Sequence, residues 1–245
     1  MYNFIERISS FRRKLQANPY IKMLWDHFPG YATADLAESE IADEAQFLFK
    51  KYGGPYPFPV EDRQLVALPF SLNIAWESAP STPLPTGIRL LAGCLNLANV
   101  AASISEPSFH SHLESPFLLE TTPLLRHATL FDGGSAADVT KHWTYFLYDR
   151  AQRTYQGLVL LYGLRLIPLP LSMGDYVRAA LAWHGAWGWQ FLYLPLEEFR
   201  ALDESTLLTL YDLQAGLPAL FPDADWTVIA DKQEYFAIAQ MNKRR

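Results

Sequence analysis

Three features of this sequence predict an α+β fold, in which an antiparallel sheet of several short strands packs against helices and carries a helical N-terminal extension. First, Ser172–Gly185 reads as a capped amphipathic helix. Met173, Tyr176, Val177, Ala180, Leu181 and His184 fall on one face of a 3.6-residue period, Ser172 and Asp175 suit its first turn, and Gly185 suits a left-handed stop. Second, aromatic and β-branched runs between residues 128 and 167 recur at the short spacings of an antiparallel meander. Third, helical periodicity returns towards both ends of the chain. With no internal repeat, low-complexity tract or flexible linker, the reading is one domain over 1–245. Within it, 1–30 is a helical extension and 31–235 the α+β core.

Taken in order, Asn3 to Gln16 reads as a helix with an apolar stripe of Phe4, Ile5, Ile8, Phe11 and Leu15 and a basic opposite face. Asn18-Pro19 breaks it, and Tyr20 to Phe28 reads as a short second helix. A longer helix follows from Thr33 or Asp35 to Tyr52, with Ile41, Ala45, Leu48 and Tyr52 on its core face and Gly53-Gly54 as its stop. Pro55 to Pro59 reads as extended chain, 70–78 as a short helix, 87–91 as a strand and 95–102 as a helix. Strands are then expected at 128–131, 142–148, 157–162 and 164–167, the first ending in the turn Asp132-Gly133-Gly134-Ser135. After the helix at 172–185, alternation of Trp187 and Trp189 with Gly188 and Gln190 predicts an aromatic strand. Asp203 caps a helix from Glu204 to about Ala215, stopped by Gly216 and Pro218, and 226–229 reads as a small strand.

Composition narrows the classes of function. Half of the 245 residues are apolar and 14% are aromatic, which is globular composition. A formal net charge of −6 excludes a general nucleic-acid binder, which needs a basic face for phosphates. Charge is uneven: residues 35–44 hold Asp35, Glu38, Glu40, Asp43 and Glu44 with no basic residue. Cys94 is the only cysteine, so an intrachain disulfide and a cysteine-based zinc site are both excluded. Glu6 and Arg12-Arg13-Lys14 interrupt any signal-peptide core, and no apolar run is long enough to span a bilayer, so a soluble cytoplasmic protein with no membrane partner is expected.

The motifs that announce chemistry are missing. There is no phosphate-binding loop, dinucleotide fingerprint, nucleophile elbow or paired-histidine zinc helix. His110 and His112 with Glu114 could offer alternating ligands to zinc, but they lie between Pro107 and Pro116 in loop-like sequence. Asp223 and Asp225 resemble a divalent-metal pair and suit a local turn better. His184, near a helix C-terminus where the dipole favours it, reads as structural, and Cys94 as inert packing. The adjacent pair Glu197-Glu198 diverges on a helix. No catalytic residue, metal or cofactor is therefore assigned.

The order of several short motifs resembles the SUKH superfamily, the Smi1/Knr4-like proteins. The pieces are Ile41 to Ala45 in the acidic helix, Leu68-Pro69, Gly87 to Leu90, Phe131 to Gly134, Trp143 to Asp149, Leu169 to Val177, and Gly188 to Leu192. They cover about residues 33–200, and the sequence departs from the pattern after Leu68-Pro69, in the N-terminal helices and beyond residue 200. The resemblance implies a non-enzymatic α+β interaction domain, in bacteria an immunity protein that binds and neutralises a cognate toxin. Many such toxins are nucleases with basic clefts, and an acidic helix is steered onto such a surface. Asp35, Glu38, Glu40, Asp43 and Glu44 are on that reading the partner-binding residues. Two alternatives stay open: a metal- or sugar-dependent enzyme built on His110, His112, Glu114 or Asp223 and Asp225, and a scaffold protein that docks through the basic N-terminal helix.

Overall fold

The structure is a computed structural model. It describes residues 4–28, 62, 65, 71–100, 103, 127–133, 143–149, 151–163 and 165–243. Among these are a seven-stranded antiparallel sheet and six α-helices, so the α+β expectation holds. The strands are β1 (Ile21–His27), β2 (Leu72–Ser78), β3 (Ala92–Leu97), β4 (Ala128–Asp132), β5 (Trp143–Asp149), β6 (Thr154–Tyr162) and β7 (Arg165–Leu169), and they neighbour one another in sequence order. The helices are α1 (Phe4–Ala17), α2 (Met173–Ala182), α3 (Leu196–Arg200), α4 (Glu204–Leu220), α5 (Thr227–Ala230) and α6 (Gln233–Lys243). No described helix is long and apolar enough to cross a membrane. The chain divides into two compact units, each discontinuous in sequence. One comprises 1–5, 27–73 and 95–177, the other 6–26, 74–94 and 178–245.

In the first unit, β4 to β7 have two buried faces. Ala128, Tyr145, Leu147 and Val159 form the core of one, with Leu130, Trp143, Leu161 and Leu166 packed against it. Strand alternation sends Thr129, Phe146, Leu158, Leu160 and Ile167 to the other, where all are buried. Two irregularities bend this meander. Between Leu130 and Asp132 the register of β4 against β5 slips by one residue, so Phe131 is extra. A second slip falls opposite Leu147 and Tyr148, beside Gly157 at φ 117°.

The start of α2 belongs to the same unit and satisfies its first three amides. Asp62, completely buried, accepts from the N–H groups of Met173 at 3.3 Å and Gly174 at 2.8 Å. Ser172 Oγ accepts from the Asp175 N–H at 3.0 Å and donates to Asp175 Oδ2 at 2.8 Å, and the Ser172 carbonyl accepts from Tyr176. The expected cap is therefore present, with a remote carboxylate added to it.

The second unit holds α2's other end. Gly185 N–H bonds to the Ala180 carbonyl at 2.7 Å and His184 N–H to that of Leu181 at 3.2 Å. This is a Schellman stop in which Gly185 is left-handed as expected (φ 62°), and His184 before it (φ 55°) is left-handed as well. Beyond it the chain runs along β3. Cys94 N–H donates to the Gly185 carbonyl at 2.7 Å, Trp187 N–H donates to that of Ala92 at 2.9 Å, and Ala186 bridges Gly93. Trp76 Nε1 donates to the His184 carbonyl at 2.8 Å. A Cβ on Gly93 would lie 2.6 Å from the Trp76 ring and 2.7 Å from the Gly185 oxygen, so no side chain fits.

Several sequence expectations are corrected. The helix expected over 20–28 is instead a strand over Ile21–His27: Asn18 turns the chain by accepting from Tyr20 and Ile21 N–H groups, and pairing with β2 then decides an apolar run too short to nucleate a helix. Residues 72–78 are strand, with Leu72, Ile74, Trp76 and Ser78 buried on one face and Ala75 buried on the other. The strand expected at 87–91 lies instead at 92–97, and this takes the first residues of the helix expected from 95. Trp187 and Trp189 do not share a strand face. Gly188 (φ 88°) turns the chain into a 3-10 helix over Trp189–Tyr193, leaving Trp189 fully buried. Helix α4 continues through Gly216, whose missing Cβ leaves room for Leu91, and through Pro218 in its last turn. Residues 227–230 are helical because Asp225 accepts from the Thr227 N–H at 3.0 Å, and α6 is a helix the sequence reading missed. The expected helix at 33–52 and the extended 55–59 lie outside the described residues.

Gly93→Ala is expected to cost about 1–3 kcal/mol through overpacking. Gly163→Ala should cost about 1 kcal/mol or less, since Gly163 has φ 61° with nothing within 4 Å of its Cβ position. Denaturant unfolding of the two variants beside the parent checks the order. Equal costs would show that close approach at Gly93 is not limiting.

Candidate functional site

The chemistry-bearing groups of the described residues gather at two places, one in each unit. In the first unit the centre is Asp132. The bulge at Phe131 turns this last residue of β4 to the side of the sheet that α2 covers. Phe131 and Tyr176 meet edge to face with ring centroids 5.3 Å apart, and Tyr176 Oη donates to Asp132 Oδ2 at 2.7 Å. Asp132 Oδ1 accepts from the Asn96 N–H at 3.0 Å. Thr144, opposite Asp132 in the ladder, has its Oγ1 3.0 Å from Tyr176 Oη. Exposure is 4% for Asp132 and nil for Thr144 and Tyr176, so the row is sealed.

Burial pushes the Asp132 carboxyl up to about 6, against the opposing pull of the Tyr176 hydroxyl and the Asn96 amide. The row Thr144–Tyr176–Asp132 therefore has two hydrogen-bond directions. An ionised Asp132 accepts from Tyr176, which accepts from Thr144. A protonated Asp132 can donate to Tyr176, which then donates to Thr144. Closed to solvent, this hydrogen-bonded row works on the fold itself: it ties β3, β4, β5 and α2 together where β3 and β4 share a single register pair, Leu97 with Asp132.

In the second unit the centre is His184. Its ring stacks on Phe221 at 4.1 Å, lies 5.3 Å from Trp226 and meets Phe11 edge-on at 6.2 Å. Burial holds the imidazole down to about 4, with Lys14 lowering it further and a contact to the Ala182 carbonyl opposing. The structural role expected of His184 is what the geometry displays, for a different reason. It is a neutral aromatic plug, not a cation on the helix dipole. In the same unit, Lys232 Nζ sits 3.9 Å above the Tyr193 ring and 5.1 Å from that of Tyr235, and burial lowers its pKa.

The proposed partner-binding residues Asp35, Glu38, Glu40, Asp43 and Glu44 lie outside the described residues, as do His110, His112 and Glu114. Asp223 and Asp225 are exposed, and Asp225 accepts from the Thr227 N–H two residues on, the local turn role expected of it. Among the described residues no group of three or more His, Cys, Asp or Glu side chains could hold a metal ion. Cys94 is buried in β3. The sequence reading missed Asp62, Thr144 and Tyr176 as polar partners and took Asp132 only as a turn residue. The one available signal was an Asp-Gly pair ending a strand; the bulge that re-aims Asp132 leaves no mark in sequence.

Asp132 and His184 should pull stability in opposite directions with pH. The carboxyl is raised from 3.8 to about 6, so its contribution is complete below 3.8 and lost as pH rises through 6. The imidazole is lowered from 6.5 to about 4, so its contribution is complete above 6.5 and lost as pH falls through 4. Each shift of roughly two units is worth about 3 kcal/mol at most. Asp132→Asn should therefore leave a chain that weakens steadily from pH 6.5 to 4, and His184→Asn one that strengthens from pH 6 to 4. Urea unfolding across that range checks both, and pH profiles parallel to the parent's would refute the assignment.

Comparison of the chain with protein-family models, with curated proteins and with solved structures finds no match in any of the three.

Proposed function

We propose that this chain is a cytoplasmic immunity protein of the SUKH type, which binds a cognate bacterial toxin carrying a basic cleft and blocks it. The observation that carries the reading is the charge of residues 35–44: five carboxylates and no cation within ten positions. Four carboxylates among the described residues are engaged at home. Asp62 and Asp132 bond inside the first unit, while Asp26 pairs with Arg12 and Glu77 with Lys22 in the second. An uncompensated acidic stretch on an acidic chain favours a basic partner, speeding encounter and weakening it with added salt. The motif order described above supports the same reading, and it makes the binding function independent of any catalytic group in this chain.

The test uses the toxin encoded beside this chain's gene. Co-expression should rescue growth and give a complex that co-purifies. Replacing Asp35, Glu38, Glu40, Asp43 and Glu44 together by lysine should slow association by about tenfold or more and flatten its salt dependence. If the neighbour neither forms a complex nor is neutralised, the reading fails. A complex that forms at the parent's rate with the five-lysine variant would move the contact surface away from 35–44.

A further inference from the structure

The two edges of the sheet are not equally protected. Strand β7, at one edge, carries Pro168, whose nitrogen cannot donate to a further strand. Strand β1, at the other edge among the described residues, has no proline and is the most exposed strand of the seven. It presents Trp25 at 50% exposure, with Tyr20 just ahead of it at 39%. Among the described residues no strand covers this edge, and an edge bearing a tryptophan is a template for another strand.

The sequence of β1 says which strand. In Ile21-Lys-Met-Leu-Trp-Asp-His27, Lys22 and Asp26 lie symmetrically about Leu24, as do Met23 and Trp25. Laid antiparallel against itself about a twofold axis at Leu24, the strand brings each Lys22 opposite the Asp26 of the second copy. Each Met23 then faces a Trp25, a favourable sulfur–aromatic pair. Moving the axis one residue to Met23 or Trp25 removes both matches. Existing ion pairs lengthen the charge row: Arg12 holds Asp26 at 2.8 Å and Lys22 holds Glu77 at 2.7 Å. Across the junction the order becomes Arg12, Asp26, then Lys22 and Glu77 of the other copy, alternating in sign throughout, and it occurs twice. We propose that β1 is a homodimer interface, in which two copies of this chain join edge to edge through Ile21–His27 in the register centred on Leu24. The opposite charges select that register, and the Trp25 and Met23 contacts supply the adhesion. This goes beyond the toxin-binding reading and stands independently of it.

Sedimentation of the full chain over a range of concentrations should show a reversible dimer. Lys22→Glu alone places Glu against Asp26, and Asp26→Lys alone places Lys against Lys22. Each variant should lose about tenfold or more in self-association, and an equimolar mixture should recover a heterodimer, because both charge matches return across the mixed junction. Leu24→Cys, a conservative change on the axis, should oxidise to a covalent dimer, whereas Lys22→Cys should not. It tests the register even if a charge variant folds poorly. A chain that stays monomeric, charge variants that dimerise like the parent, a mixture that stays monomeric, or a Leu24→Cys variant that does not cross-link would each overturn the proposal.

Discussion

The second unit depends on a backbone clasp between the end of α2 and strand β3. Carbonyl and amide groups of residues 184–187 bond to Trp76, Ala92 and Cys94, and this is possible only because Gly93 leaves the approach open. The clasp explains the conformation of His184. A non-glycine residue in the left-handed region costs roughly 1 kcal/mol. Here His184 is held there by its amide bond to Leu181, its carbonyl bond from Trp76 and its ring stacked on Phe221. The sequence around it fits: Trp183, Ala186 and Trp189 are fully buried, so chain direction after α2 is specified by packing as well as by hydrogen bonds.

The first unit solves a different problem, how to fix an antiparallel meander whose two faces are both buried. With apolar residues on both sides, alternation alone does not penalise a slip of one residue. Polar groups restore the penalty. Asp132 reaches Tyr176 and Asn96 only in the bulged register, and a slip would leave a buried carboxylate without its donors, a far larger cost than misplaced apolar contacts. Asp62 does the equivalent for α2, since its two bonds to the first amides set where that helix begins. Both carboxylates specify a single arrangement, and at Asp132 the cost shows in the pKa raised by burial.

What was legible in the sequence follows from where the signal is local. Helix α2, with its Ser172–Asp175 cap, and strands β4 and β5 were readable because periodicity, capping chemistry and β-propensity agreed over each segment. The fold class followed from them. Strand β1 was not readable, because Ile21 to His27 fits a helical turn as well as a strand until β2 is beside it. The Trp187–Trp189 alternation misled because Gly188 turns the chain between them, and Gly216 misled because a glycine that makes room resembles a glycine that ends a helix. At the candidate sites, the aromatic box of His184 draws on Phe11, Phe221 and Trp226, and the Asp132 row on Asn96, Thr144 and Tyr176. Such sets are assembled from distant segments, and only the acidic run at 35–44 was visible as a contiguous pattern.

These roles divide the titratable groups by what they can still do. A carboxylate that is buried and saturated with donors is fully used in specifying the fold; its pKa reports on that work and offers nothing to a partner. The same holds for a histidine sealed among aromatic rings. Groups left for recognition must be solvated, and there affinity depends on pattern, since single surface charges contribute little. Pattern is what two stretches of the sequence possess: one sign repeated at 35–44, and two signs placed symmetrically about Leu24 in β1. A run of one sign suits a partner of opposite charge, whereas a symmetric pair of opposite signs suits a copy of itself. On the two proposals above the patterns would direct association with different partners, and neither draws on the groups that hold the interior together.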